Sequence, residues 1–267
     1  MSYYKMVKKA LLIGNNYTGQ PVQLMGCIND VNNVSSVLKT KCGFASTTVL
    51  TDATKDAMIS GIQWLVSGNR PGDVLFFYYS GHGSTVKDGD GDEKDGRDEV
   101  LVPNDYVKNG VITDDWLYTN LASKVTGGVT LWGFTDCCHS GTMCDLKYNL
   151  VPNCSVKPGA QRTPYNTKNW TDVFINSLER KDPLVGNVTL ISGCLDNQVS
   201  YESAGQGAFT KCFLAFFSQT SRFVNNTVKV YELLKYIHCN LKINGFPTQV
   251  PQLSSARPIS LDTFFNL

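Results

Sequence analysis

VLFFYYSGHG, residues 74–83, runs an unbroken apolar segment from Val74 to Tyr79 into the turn Ser80-Gly81-His82-Gly83. A short apolar run without polar alternation, closed by Ser and Gly, reads as a strand buried on both faces. The pattern recurs at Ala10 to Ile13, Val129 to Phe134 and Val188 to Ile191, each run ending at Gly, Ser or Asp, with Thr47 to Leu50 a weaker candidate. Between these runs Ile28, Val31, Val34, Val37 and Leu38 fall at helical spacing, as do Met58, Ile62, Leu65 and Val66. Strands alternating with helices predict an α/β sandwich, a mostly parallel central sheet flanked by helices. Residues 142–185 are rich in Lys, Asn, Pro and Thr with little periodicity and read as a long exposed linker. Beyond it, a strand at 188–194, helices near 207–219 and 228–241, and a strand near Pro251 to Ser254 complete the same sheet.

The chain has 267 residues, 42% of them hydrophobic, enough for a sizeable core in one domain. A formal net charge of +1 builds in no general attraction to nucleic acid or an acidic membrane. The nine cysteines are odd in number, lack CxxC pairs, and include the neighbours Cys137 and Cys138, so neither a disulfide framework nor a zinc site is expected. No apolar run is long enough for a membrane span, and MSYYKMVKK leads straight into ALLIG without a signal-peptide core. The expectation is a soluble protein of the reducing cytoplasm.

In a parallel α/β sheet, ligands sit beyond the carboxyl ends of the strands. Two predicted strands end in reactive groups: SGHG at 80–83 and DCCHSG at 136–141. A cysteine and a histidine on one sheet edge can share a proton, which a thiol titrating around 8.5 needs if it is to act as a nucleophile near neutrality. Gly83 and Gly141 allow close backbone approach, and the Gly83 and Cys138 amides are candidate oxyanion donors. Neighbouring residues at a strand end face opposite ways, so one of Cys137 and Cys138 points away from His82.

YYSGHG at 78–83 and DCCHSG at 136–141 resemble the two catalytic motifs of the metacaspases, caspase-like peptidases in the same clan as caspases, legumains and gingipains. ALLIGNNY at 10–17, CINDV at 27–31, ITDD at 112–115, ISGCLDNQVS at 191–200, GAFT at 207–210 and VPQLSS at 250–255 extend the resemblance over almost the whole chain. The separation of 56 residues from His82 to Cys138 fits the roughly 50-residue caspase spacing, although QACRG is absent.

The resemblance implies a caspase-like fold with a large part at 1–146, a linker at 147–186 and a small part at 187–267, as in type I. It makes Cys138 the nucleophile, with Cys137 the competing assignment, and His82 the general base and acid. His139 is then positional. The resemblance also implies an S1 pocket of Cys27, Asp30, Ser80 and Asp136. Paired carboxylates there would select Arg or Lys at P1 and disfavour the Asp or Asn expected of a caspase or a legumain.

Self-cleavage could fall at Arg162, Lys168, Arg180 or Lys181. Residues before Lys8 are too few for a regulatory domain, and the Pro- or Gln-rich prodomain usual in type I is missing from this sequence, either a naturally short form or a trimmed one, which leaves autoinhibition by a prosegment open. The partners implied are protein or peptide substrates, and the state a monomer.

Residues 88–99, DGDGDEKDGRDE, place Asp at positions 1, 3 and 5 and Glu at 12 of an EF-hand-like loop, but Glu93 stands where the sharp turn demands glycine. The resemblance implies a different Ca2+ site, built from Asp98, Asp114, Asp115 and Asp145 on separate loops. The expected function is thus a calcium-dependent cysteine endopeptidase working through an acyl-enzyme. The alternative is a non-catalytic calcium-binding homologue acting as scaffold or regulator.

Overall fold

The computed structural model describes residues 5–89, 96–138, 140, 141, 143–152, 173–176, 183–196, 198–219, 228–258 and 263–267. In chain order, β1 (Lys8–Gly14), α1 (Cys27–Lys41), β2 (Ser46–Thr51), α2 (Lys55–Val66) and β3 (Val74–Ser80) come first. β4 (Gly83–Lys87), β5 (Arg97–Leu101), α3 (Tyr106–Asn109), β6 (Ile112–Thr113) and α4 (Asp114–Asn120) precede β7 (Thr130–Asp136). β8 (Tyr148–Val151), β9 (Val173–Asn176), β10 (Asn187–Ser192), α5 (Ala208–Gln219), α6 (Val230–Ile243) and β11 (Gln252–Ser255) follow.

Eight strands form one sheet in the order β2-β1-β3-β7-β10-β11-β8-β9. The pairs from β2 to β10 are parallel, and those of β11 with β10, β8 with β11 and β9 with β8 are antiparallel. The mostly parallel sheet is therefore as the sequence predicts.

Alternation within each strand divides the core. Ala10 and Leu12 of β1, with Phe76, Tyr78 and Phe134, pack against α1, α5 and α6. Leu11 and Ile13, with Leu75, Phe77 and Tyr79, pack against α2 and α4 on the other face. Both faces are covered, which is why the strands read as continuous apolar runs.

Thr54 starts α2 by accepting the Ala57 N–H at 3.3 Å, while α1 has no side-chain cap of its own at Gly26. Glu202 supplies one from across the fold, its carboxylate accepting the Gly26 N–H at 2.7 Å and the Met25 N–H at 3.2 Å.

The segment expected to be an exposed linker is not loop throughout. β8 and β9 lie within it and extend the sheet beyond β11, because their backbone groups find ladder partners that a polar composition does not announce. β4, β5 and β6 form a separate antiparallel sheet. The flanks of the EF-hand-like stretch are therefore the strands β4 and β5 rather than helices, and residues 90–95 within it lie outside the described set.

Cys27, Cys42, Cys137, Cys138, Cys144, Cys194 and Cys212 form no disulfide, but, unlike the expectation from the sequence, Cys239 of α6 is disulfide-bonded. Among the described residues no helix is long and apolar enough to cross a membrane.

Candidate active site

The sheet itself brings the imidazole and the thiol together. β3 and β7 are parallel neighbours whose last residues, Ser80 and Asp136, stand in register. Strands lie about 4.8 Å apart, and His82 and Cys138 each follow two residues later. Both line one cavity of about 180 Å³, together with Leu24, Cys27, Ser200 and Tyr201.

His82 Nε2 lies 2.7 Å from the Val22 carbonyl. A carbonyl only accepts, so Nε2 carries the proton and Nδ1 is left as the basic nitrogen. The His82 main chain is fixed as well: its N–H donates to the Tyr17 hydroxyl at 2.9 Å, and its carbonyl accepts the Tyr79 hydroxyl at 2.8 Å and the Val102 N–H at 3.2 Å.

The two cysteines differ in surroundings. Cys137 is 1% exposed, belongs to the core on the α2 side, and its thiol is pushed far above its ordinary range by burial. It lines the cavity as well. Cys138 is half-buried. Its thiol is raised by burial, a rise opposed by the Ser200 backbone N–H. At rest Cys138 is therefore a thiol, and reactivity requires a base to take its proton.

Gly83 opens β4 opposite Leu101 of β5, one step from the His82–Val102 pair, where the Val102 N–H donates to the His82 carbonyl. In an antiparallel ladder the next pair is not hydrogen-bonded, so the Gly83 N–H points away from β5. A side chain at Gly83 would overlap the Cys138 carbonyl oxygen. Gly141 packs against Asp196, whose Oδ1 would lie 2.7 Å from an added Cβ, so a side chain there has no room.

Asp30 and Asp136 converge at Gly207. Both Asp30 oxygens accept the Gly207 N–H, at 3.2 and 3.1 Å, and Asp30 Oδ2 accepts the Ser80 hydroxyl at 2.9 Å. Asp136 Oδ1 accepts the Ser200 hydroxyl at 2.5 Å, and its Oδ2 accepts the Thr210 N–H at 3.0 Å and hydroxyl at 2.6 Å. A Cβ on Gly207 would overlap Asp136 Oδ2 and lie 2.9 Å from Asp30 Oδ2, so both carboxylates border one small space.

Burial, and then the neighbouring Asp136, push the Asp30 carboxyl up to about 8, and burial raises Asp136 too. Cys27 lines the cavity with its thiol raised by burial. The exposed Glu202 adds a third negative charge felt by both aspartates. Glu202, Ser200, Gly207 and Thr210 were not singled out from the sequence. Three of them lie inside the quoted ISGCLDNQVS and GAFT stretches, but only the fold shows what they touch.

A raised carboxyl keeps its proton in the folded chain at pH values where the unfolded chain has lost it. Stability then falls as pH rises toward the folded value. Buried His238, lowered to about 4, works in the opposite sense but only below its ordinary 6.5. The melting temperature of the ligand-free, chelated protein should thus fall by a few degrees between about pH 6.5 and about pH 8. A rise across that window in thermal unfolding would contradict the burial of the Asp30–Asp136 pair.

A second acidic group lies beyond β5. Carboxylate oxygens of Asp98, Asp114 and Asp115 fall within 4.8 Å of one another. Burial first, and Asp145 next, raise the Asp114 carboxyl to about 9. Asp145, on the chain leaving Cys138, has a left-handed backbone at φ 45°. Glu99 also faces Asp114, whose Oδ2 accepts the Glu99 N–H at 2.8 Å. Hard oxygen donors gathered around a buried carboxyl fit a divalent cation such as Ca2+.

Residues 8–147 match the family model described as metacaspase, peptidase C14 domain. The chain is 34% identical over 296 residues to Metacaspase-1 of Mycosarcoma maydis, covering 97% of this chain and 72% of the fungal protein. It is 35% identical over 283 residues to Metacaspase-2 of Trypanosoma brucei brucei, covering 97% of this chain and 76% of that one. Among solved structures, a protein from Geobacter sulfurreducens aligns with a TM-score of 0.67 and 27% identity, covering 95% of each chain. Caspase-1 from Spodoptera frugiperda aligns at 0.61 and 14% identity over 99% of this chain and 93% of the insect one, a likeness of fold.

Proposed function

Because the chain belongs to the metacaspase family of caspase-like cysteine peptidases, we propose that it is a calcium-dependent endopeptidase cutting after Arg or Lys. The observation that carries this reading is the convergence of Asp30 and Asp136 beside the cavity that holds His82 and Cys138. A guanidinium or ammonium group entering between two raised carboxyls lets both ionise, whereas an acidic P1 side chain would meet like charge.

The chemistry follows from the groups present. Cys138 Sγ gives its proton to His82 Nδ1 while Nε2 stays on Val22, and the thiolate attacks the P1 carbonyl carbon. The oxygen that gains charge is met by the Gly83 and Cys138 N–H groups, each donor of such a pair contributing roughly 3 kcal/mol. His82 returns the proton to the departing amine, and water, deprotonated by the same imidazole, frees the acyl-enzyme.

Asp98, Asp114, Asp115 and Asp145 would hold the calcium, which neutralises their mutual repulsion. Asp98 sits on β5, the partner of the strand that begins at Gly83, and Asp145 follows Cys138 on its own loop. Ordering these carboxylates thus acts on both oxyanion donors.

The division into large part, linker and small part, with self-cleavage at Arg162, Lys168, Arg180 or Lys181, belongs to the same reading; those basic residues lie outside the described set. So does a cytoplasmic monomer, the monomer supported by β8 and β9 occupying the sheet beyond β11, while the disulfide at Cys239 speaks against a reducing compartment.

Matched fluorogenic peptides ending in Arg, Lys, Asp or Asn, assayed with calcium or with chelator, test it. Cleavage after Arg or Lys only, dependent on calcium, is the expected result. Silence on every peptide would leave the calcium-binding scaffold in its place. In the same assay Asp98→Ala should lose calcium stimulation with its far-UV circular dichroism unchanged. Full stimulation in that variant would remove Asp98 from the ligand set.

A further inference from the structure

ALLIGNNY carries β1 to Gly14 and then presents Tyr17, a residue the peptidase chemistry leaves without a task. Tyr17 is fully buried, yet its backbone takes φ 53°, a left-handed conformation that bulky side chains avoid. Asp52, itself at φ 45°, holds it there: Oδ1 accepts the Tyr17 N–H at 2.7 Å and Oδ2 accepts the Thr18 hydroxyl at 2.6 Å.

The loop from Tyr17 to Leu24 meets His82 at three points. The Tyr17 hydroxyl accepts the His82 N–H at 2.9 Å and donates to the Val102 carbonyl at 2.7 Å. The Tyr17 ring lies 4.7 Å from the imidazole at a tilt of 35°. The Val22 carbonyl takes Nε2 at 2.7 Å. The loop is itself tied down, with the Gln20 N–H on the Tyr17 carbonyl at 3.0 Å and the Leu24 N–H on Asn16 at 2.8 Å. The edge of Tyr106 packs on the Tyr17 ring at 6.5 Å, so the phenol has little room to move. Gly81 completes the fit, since an added Cβ would lie 2.6 Å from the Tyr79 hydroxyl and 3.1 Å from that of Tyr17.

We propose that Tyr17 is the positioning residue of the dyad. Its hydroxyl sets the height of the His82 main chain and its ring sets the imidazole plane, so that Nε2 meets Val22 and Nδ1 is the nitrogen left for the thiol of the shared cavity. The proposal rests on reading His82 as the acid–base group. Being fully buried, Tyr17 acts through His82 and the adjoining Gly83 amide rather than through substrate. Its loss should therefore appear in kcat and spare KM.

Tyr17→Phe keeps the ring and strands the His82 N–H. With a peptide ending in Arg, kcat should fall about tenfold or more while KM stays within about twofold. Tyr17→Leu, which removes the ring too, should fall further. Asp52→Ala, which loosens the turn without touching His82, should lower kcat in the same sense. Thermal unfolding of each variant confirms that the compared proteins are folded. A folded Tyr17→Phe with wild-type kcat, or with its loss confined to KM, beside an inactive His82→Ala would overturn the role of Tyr17 alone. Retained activity in His82→Ala would instead overturn the dyad on which the proposal rests.

Discussion

Cys138→Ala should hydrolyse no peptide at any calcium concentration, with kcat reduced roughly 10⁴-fold or more, whereas Cys137→Ala should still turn over. The two thiols are neighbours in sequence, yet they stand in different media. Cys137 borders the cavity too, but it is 1% exposed and burial holds its thiol far above the ordinary range, so it has no ready route to the anion. Replacing it costs packing, about 1 kcal/mol, which lowers the melting temperature and not the chemistry. Cys138 borders the cavity with His82, and without it no covalent acyl-enzyme can form. Peptide hydrolysis, with the site of iodoacetamide labelling mapped on the wild type, distinguishes the pair. Labelling at Cys137, or an active Cys138→Ala, would reverse the assignment.

Asp136→Asn should lower kcat/KM for an Arg peptide by roughly 10²-fold or more, while a peptide with neutral citrulline at P1 is affected far less. The amide keeps the shape of the carboxylate. Its oxygen can still accept from Thr210, and its nitrogen can donate to the Ser200 hydroxyl, so the pocket stays filled. What disappears is charge at a buried position, where a charged contact with a guanidinium is worth more than in water. Asp136→Ala is harsher: it strands the buried Thr210 N–H, at about 1–3 kcal/mol, leaves the Ser200 and Thr210 hydroxyls only Gln249 and Tyr78 as partners, and should abolish cleavage after Arg. The Arg-to-citrulline ratio of kcat/KM isolates the charge from the packing. An unchanged ratio in Asp136→Asn would sink the pocket assignment.

The central sheet was legible because β1, β3, β7 and β10 are buried on both faces and each carries a run of mostly apolar residues on both, Ala10 to Ile13 and Val74 to Tyr79 being unbroken. β4 and β5 were not, since GSTVK and RDEVL are short and polar and owe their strand character to pairing with each other. β8 and β9 were hidden inside a polar stretch for the same reason. Within the site, the proposed dyad stands out in the sequence as His and Cys at strand ends. The groups that hold it do not. Tyr17 and Glu202 act across 65 and 176 residues of chain, reaching His82 and Gly26 through contacts that leave no local pattern.

The parallel pairing of β7 with β10, from Thr130–Asn187 to Thr135–Ser192, makes the two halves of the chain one sheet irrespective of the peptide bonds between them. Phe134 of the first half packs on Phe209 and Phe213 of the second, at 6.4 and 4.6 Å between ring centroids. Scission between Val151 and Leu184 therefore changes covalent connectivity without dividing the particle. The cut protein would run as two bands on a denaturing gel and elute as a single species from a sizing column. Whether a molecule is intact and whether it is assembled are, for this fold, separate questions.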